Sequence, residues 1–282
     1  MKAIIFGGTG FIGKGLVESL DADEIAYFSR ENANLNNKNA KWIKGDVTSY
    51  ENVYEAVNGY DTIIYSVEKW EADETENRNL TLSGIKNIVE AVKKYDKDQK
   101  IVSFSMINQP SYPIEFFRTK RLIEDNTRVF KNGLVFRLPY VFGEGDHITN
   151  RLRKLSESVS RLPADGNLAP VHVEDVISVV KQNMNREGVY DISGLQKASL
   201  LDIVNAMRTA KGMREIGETK LEKGIKIVEE TGLFKKYEAE MLFEDYSRET
   251  SILARYVKEP KSYMEFIRGR EIIKQKMQPE GN

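Results

Sequence analysis

The sequence contains no cysteine, which excludes disulfides, thiolate metal sites and cysteine nucleophiles in one step. Its two histidines, His147 and His172, are too few for a histidine-rich metal centre, so no metal is expected. Charge of either sign is not in excess. Lys and Arg number 42 against 43 Asp and Glu, a formal net charge of −1, which gives no global case for nucleic acid or an anionic membrane as partner. No apolar run approaches the roughly 18 residues that span a bilayer. An apolar strand already begins at Lys2 and leaves no room for a signal peptide, so a cytoplasmic location is expected.

What is present describes a folded chain. Its 282 residues are 40% hydrophobic and 30% charged, enough to bury a large core in one domain, or in a domain with a smaller partner lobe. Lys2–Phe6 reads as a buried strand. Gly7, Gly8, Thr9 and Gly10 follow at once, and Phe11, Ile12, Gly13, Leu16, Val17 and Leu20 then recur at helical spacing. Glycines at 7, 10 and 13 stand in a phosphate-cradling arrangement. Gly7 permits the tight turn, Gly10 lets backbone approach a pyrophosphate, and Gly13 lets helix pack on strand. The helix N-terminus offers unpaired N–H groups to the anion.

The wording GGTGFIG resembles the short-chain dehydrogenase/reductase superfamily, particularly its extended and atypical branches. Those branches include nucleotide-sugar epimerases, NmrA-like dinucleotide sensors and the NADPH-binding accessory subunit of respiratory complex I. The resemblance implies that Gly7, Thr9, Gly10, Phe11, Ile12 and Gly13 surround the dinucleotide.

Strand and helix then alternate. Glu24–Phe28 is a second strand ending in Ser29, Arg30 and Glu31. A carboxylate at that strand end would favour NAD, whereas an arginine accommodates a 2′-phosphate. Ser29 and Arg30 therefore favour NADP, with NAD the alternative because Glu31 follows. Asn32–Lys41 is an asparagine-rich loop, and Ser49–Val57 is expected to be a helix. The Gly45-Asp46-Val47 turn between them resembles the adenine-contacting position. Asp61–Val67 is a strand. By resemblance Ser66 and Val67 occupy the place where small residues let the cofactor lie against backbone. A helix is expected from Asn79, a strand at Lys100–Met106, and a further helix over PIEFFRTKRLIED. The alternation predicts an α/β, Rossmann-type doubly wound parallel sheet.

Catalytic members of the superfamily place Tyr and Lys one turn apart on that further helix, where the ammonium lowers the phenol pKa. The matching residues are Phe116 and Lys120, so the lysine, which by the resemblance also contacts the nicotinamide ribose, is retained and the exchangeable proton is lost. By the resemblance, Ser105 on the preceding strand stands near where a hydroxyl orients the substrate oxygen, and Tyr112, placed off the helix by Pro113, is a candidate replacement for the tyrosine. Tyr140 and the Glu144, Asp146, His147 cluster are further ones. Gly133–Phe142 reads as one strand, and its Arg-Leu-Pro-Tyr-Val-Phe-Gly wording resembles the element that lines the nicotinamide side, with Pro139 bordering the ring. Arg137 is expected to be charge-paired. Ala169–Val176 resembles a second element of the extended branch, in which His172 is expected to be packed or capping and Asp175 to cap the next helix.

The resemblance covers about the first two hundred residues. It gives an NAD(P)-binding domain over 1–200, with part of 140–175 contributing to a substrate cleft, and a smaller, mostly helical, charged C-terminal lobe over 201–282. Two functions follow. One is an oxidoreductase or epimerase-like enzyme acting on a small-molecule carbonyl or a nucleotide sugar. The other is a non-catalytic dinucleotide-binding sensor or assembly subunit, with the C-terminal helices meeting a protein partner or a second copy.

Overall fold

Lys2–Phe6 (β1) lies inside a seven-stranded sheet of the computed structural model, which describes residues 1–69, 73–95, 98–107 and 114–269. Along the chain follow α1 (Phe11–Ser19), β2 (Glu24–Ser29), β3 (Lys41–Lys44), α2 (Tyr50–Val57) and β4 (Thr62–Tyr65). Then come α3 (Glu74–Tyr95), β5 (Lys100–Met106), α4 (Glu115–Arg128) and β6 (Leu134–Leu138). After these lie β7 (Val141–Phe142), α5 (His147–Ser158), β8 (Arg161–Leu162), β9 (Val171–His172), α6 (Val173–Asn183) and β10 (Gly188–Asp191). The remainder is α7 (Leu200–Ala210), β11 (Gly217–Glu218), α8 (Leu221–Glu230), α9 (Lys236–Met241) and α10 (Leu253–Tyr256).

The chain divides into two compact units. The first comprises Met1–Met106, Glu115–Leu138 and Ile177–Asp191; the second comprises Ile107–Ile114, Pro139–Val176 and Ile192–Asn282.

In the first unit every neighbouring pair of strands is parallel, in the order β10-β6-β5-β4-β1-β2-β3. The order reverses at β1, which is the topological switch point of a doubly wound sheet. Parallel strands buried on both faces read as continuous apolar runs, and β1 is one, with Ala3, Ile4, Ile5 and Phe6 fully buried. Successive residues point to opposite faces. Ile4 and Phe6 join Phe28, Ile63 and Tyr65 in a core closed by Val53 and Val57 of α2 and Ile85, Ile88 and Val92 of α3. On α1, Gly15 stands against Ile177 of α6.

Beyond shifts of one or two residues at strand and helix ends, three features differ from the sequence expectation. Helix α3 starts at Glu74 instead of Asn79, because Asp73 accepts the Glu76 N–H at 2.8 Å and carboxylates suit the first turn of a helix. That turn carries no apolar periodicity to read. The single strand expected over Gly133–Phe142 is two, β6 and β7, separated by Pro139, which has no N–H for a ladder. Asp175 does not precede its helix; α6 opens at Val173, and Asp175 accepts the Lys261 N–H at 2.8 Å from within its first turn.

The second unit contains the parallel pairs β7–β9 and β8–β11 and the helices α5 and α7–α10. Arg151 clamps Glu238 through two bonds of 2.8 and 2.6 Å and lies over the Phe234 ring at 4.1 Å. Phe142, His172, Tyr263 and Phe266 form an aromatic nest. No helix among the described residues is long and apolar enough to cross a membrane.

Candidate functional site

The turn after β1 needs its glycines for different reasons. Gly7 adopts φ +81°, and a Cβ there would stand 2.6 Å from the Ser66 carbonyl oxygen. Gly13 meets the same turn from the other side, since its Cβ would fall 2.1 Å from the Gly7 oxygen. At Gly10 the corresponding distance is 3.2 Å, a tight contact with backbone that needs a shift of a few tenths of an ångström, less than at Gly7 or Gly13. Gly10 is the N-cap of α1 and supplies no side-chain cap, which leaves first-turn N–H groups presented where a helix N-terminus favours an anion.

The turn forms part of the wall of a cavity of about 180 Å³. Gly7, Thr9 and Gly10 line it from the turn, Ser29 and Arg30 from the end of β2, Asp46 and Val47 from the turn after β3, and Ser66, Val67 and Glu68 from the end of β4. A neighbouring hollow of about 520 Å³ shares Arg30, Asp46, Lys69 and Leu80. The structure therefore gathers most of the sequence-selected cofactor residues at the carboxyl ends of β1, β2, β3 and β4. Phe11 and Ile12 lie beside the turn without lining the cavity, and Gly13 is buried behind it.

Arg30 is exposed and lines both hollows, whereas Glu31 lines neither. The Ser29 hydroxyl donates to the Glu31 carbonyl at 2.6 Å and accepts from the Trp42 indole at 3.1 Å. Asp46 accepts from the Thr48 N–H at 2.9 Å and the Thr48 hydroxyl at 2.8 Å. The backbone bond from Thr48 is the main cause holding its carboxyl below the ordinary value, so Asp46 stays an acceptor.

On α4 the Phe116 ring and Lys120 lie one turn apart, with Nζ 5.2 Å from the ring centroid. The Lys120 side chain is 9% exposed, and its ammonium pairs with Glu68 at 2.9 Å. The Phe116 N–H donates to Glu74 at 2.9 Å, which ties the start of α4 to α3. The Ser105 hydroxyl, sought as a substrate contact, donates to the buried Glu124 at 2.6 Å. Glu124 also accepts both prongs of Arg137, and that bond raises the arginine's affinity for its proton. Arg137 is charge-paired, as its sequence context suggested.

Tyr112 and Pro113 lie outside the described residues. The other candidates belong to the second unit. Pro139 is buried, and Tyr140 is buried edge-on against Tyr246 at 5.4 Å; burial chiefly raises its phenol pKa, so it resists giving up a proton. Asp146 caps α5 by accepting the Thr149 N–H at 2.6 Å, while Glu144 and His147 are exposed. His172 is packed and capping, its Nδ1 accepting the Glu174 N–H at 3.2 Å.

Glu68 and Lys69 are the residues that sequence reasoning passed over. The available signal was a charged pair directly after Ser66 and Val67, at a strand end where small residues were expected.

Residues 7–126 match the sequence pattern of a family described as NAD(P)H-binding. The 40 kDa subunit of mitochondrial NADH-ubiquinone oxidoreductase from Neurospora crassa is 25% identical over 191 residues, covering 64% of this chain and 51% of that protein. The auxiliary protein GraX of Staphylococcus aureus is 29% identical over 143 residues, covering 48% of this chain and 46% of GraX. The chain spans about half the length of these curated relatives. Among solved structures, Bordetella bronchiseptica WbmG in complex with NAD superposes with a TM-score of 0.71 at 14% identity, covering 98% of this chain and 94% of that one. UDP-glucose 4-epimerase of Thermus thermophilus, also with NAD, gives 0.68 at 17% identity over 95% and 97% of the two chains. The glycine turn, the parallel sheet and these likenesses converge: residues 7–126 match an NAD(P)H-binding family, and the chain has the Rossmann-type fold of these solved NAD-complexed structures.

Proposed function

We propose that this protein binds NADP(H) as a ligand to be sensed or held, without the Tyr–Lys proton transfer of its catalytic relatives. The observation that carries this reading is the pair on α4. Phe116 offers no exchangeable proton, and the Lys120 ammonium is already taken by Glu68 at 2.9 Å. A bound nicotinamide dinucleotide would supply hydride chemistry, but general acid–base catalysis also needs a proton-moving group within hydrogen-bond reach of the substrate. Ser105 is committed to Glu124, and Tyr140 is buried against Tyr246.

In this reading Gly7, Thr9 and Gly10 receive the pyrophosphate with the N-terminus of α1, and Gly13 lets that helix pack on β1. Asp46 and Val47 meet the adenine, Ser66 and Val67 let the ligand lie close, and Arg30 reads a 2′-phosphate. The exposure of Arg30 in both hollows supports the preference for NADP. The second unit, with its charged helices, then serves as a surface for a protein partner.

A second reading is an oxidoreductase or epimerase acting on a nucleotide sugar. It is favoured by fold likeness along nearly the whole chain to nucleotide-sugar epimerases, and WbmG has been solved with both NAD and UDP. In that case Lys120 must leave Glu68, and Pro139 would border the ring.

Fluorescence titration with NADPH and with NADH, followed by incubation of the NADP-loaded protein with UDP-sugars, separates these readings. Saturable binding favouring NADPH without sugar conversion is expected. Turnover of a UDP-sugar would establish the second reading, and binding of neither dinucleotide would overturn both.

A further inference from the structure

The cavity proposed for the dinucleotide is built for an anion except where Asp46, bonded to Thr48, and Glu68 line it. The start of α1 presents N–H groups and Arg30 adds positive charge, with Lys69 paired to Glu76 at 2.7 Å, yet Glu68 sets a carboxylate into the same wall. A carboxylate beside a bound pyrophosphate repels it unless another group neutralises the charge. Lys120 does so. Its ammonium lies 2.9 Å from Glu68 Oε1, and the two side chains are 9% and 19% exposed. A lysine this buried needs an oxygen partner, and the Phe116 ring beside it supplies a π-face without one. Lys120 does not itself line the cavity, so Glu68 is the member of the pair that a ligand would meet.

Resting on the dinucleotide reading above, we infer that Glu68 is a positioning residue that competes with the dinucleotide for Lys120 and holds its affinity down. The pair is neutral while it is closed. Removing the carboxylate changes two terms in the same direction: it takes a negative charge out of the wall and frees the ammonium to face a polyanionic ligand. Removing the ammonium alone does the reverse, because it leaves Glu68 unpaired in that wall. An internal competitor of this kind keeps a bound dinucleotide exchangeable, which suits a protein that reports on its supply.

The test is NADPH titration of the full chain as wild type, Glu68→Gln, Lys120→Met and the double variant, with folding followed by circular dichroism. Glu68→Gln is expected to bind NADPH about tenfold tighter, with a steeper salt dependence, and Lys120→Met about tenfold more weakly. The double variant should lose the gain made by Glu68→Gln. Structural damage does not produce tighter binding, so the gain isolates the competition. Glu68→Gln binding no tighter than a wild type that does bind NADPH would overturn the inference while leaving the dinucleotide site standing. If Glu68→Gln does not fold, Lys120→Met decides: affinity equal to wild type overturns the competition. Failure of every form to bind NADPH or NADH would remove the dinucleotide reading as well.

Discussion

Arg137 on β6 and Glu124 on α4 form a two-pronged ion pair, with Nε and Nη2 donating at 2.9 and 2.6 Å. The Glu124 side chain is 4% exposed and that of Arg137 34%, so the carboxylate is the costlier partner to strand. Together with the Ser105 hydroxyl, the pair fixes the helix that carries Phe116 and Lys120 to strands β5 and β6. Rigid support of this sort is what a binding site on a helix requires.

Arg137→Ala should therefore destabilise the protein by about 2–3 kcal/mol, below the figure for a fully buried pair because water reaches the arginine. Ser105→Ala removes one donor from a carboxylate that keeps two others and should cost about 1 kcal/mol. Urea denaturation midpoints at neutral pH measure both. Equal losses would mean that Arg137 does not anchor α4.

The three glycines of the first turn should separate folding from binding. Gly7→Ala combines φ +81° with a 2.6 Å clash on the Ser66 carbonyl, and Gly13→Ala meets the Gly7 oxygen at 2.1 Å. Each is expected to cost about 1–3 kcal/mol of stability. Gly10→Val sets its Cβ 3.2 Å from the Gly7 oxygen, a contact that a shift of a few tenths of an ångström relieves, so the fold should survive while the side chain obstructs the α1 N-terminus and dinucleotide binding is lost. Unchanged NADPH binding by a folded Gly10→Val protein would remove the central assignment of this turn.

Arg30→Ala tests the 2′-phosphate. The expected result is an affinity loss of about tenfold or more for NADPH with little change for NADH, since the two ligands differ by that phosphate. Equal losses would count against the NADP preference and leave Arg30 as a general electrostatic contact.

His172 should make stability depend on pH. Burial is the larger cause lowering its pKa from 6.5, and the Lys261 cation adds to it; Glu174, Asp175 and Asp146 oppose them. The unfolded chain then takes up a proton that the folded one resists. The stabilisation is complete above pH 6.5 and falls as pH drops through the folded-state value. Urea midpoints between about pH 5 and 8 should show this decline, and His172→Gln should flatten it. A wild-type profile that stays level below 6.5 would contradict the assignment.

How much was legible follows the range of each signal. Gly7, Gly10 and Gly13 could be read because their roles depend on neighbours within one turn, and the strand cores could be read because burial on both faces leaves an unbroken apolar run such as KAIIF. Arg30 and Asp46 line the same cavity, Arg30 read from its place at a strand end and Asp46 from the resemblance of its Gly-Asp-Val turn. The start of α3 was missed because its cap, Asp73, sits in a polar stretch without periodicity. The splitting of β6 from β7 was missed although Pro139 was in plain view, since the apolar run continued past it.

The sequence by itself determined the strand-turn-helix that opens the domain, the alternation that makes the sheet parallel, and the one-turn spacing of Phe116 and Lys120 on a helix. Those are properties of residue type and spacing. Only the tertiary structure decided that Ser105 spends its hydroxyl on Glu124, that Arg30 and not Glu31 faces the hollows, and that Lys120 is held by Glu68 from 52 positions away in the chain. Side-chain partnership between distant strands and helices depends on which elements the fold places side by side, and no local pattern in the chain records it.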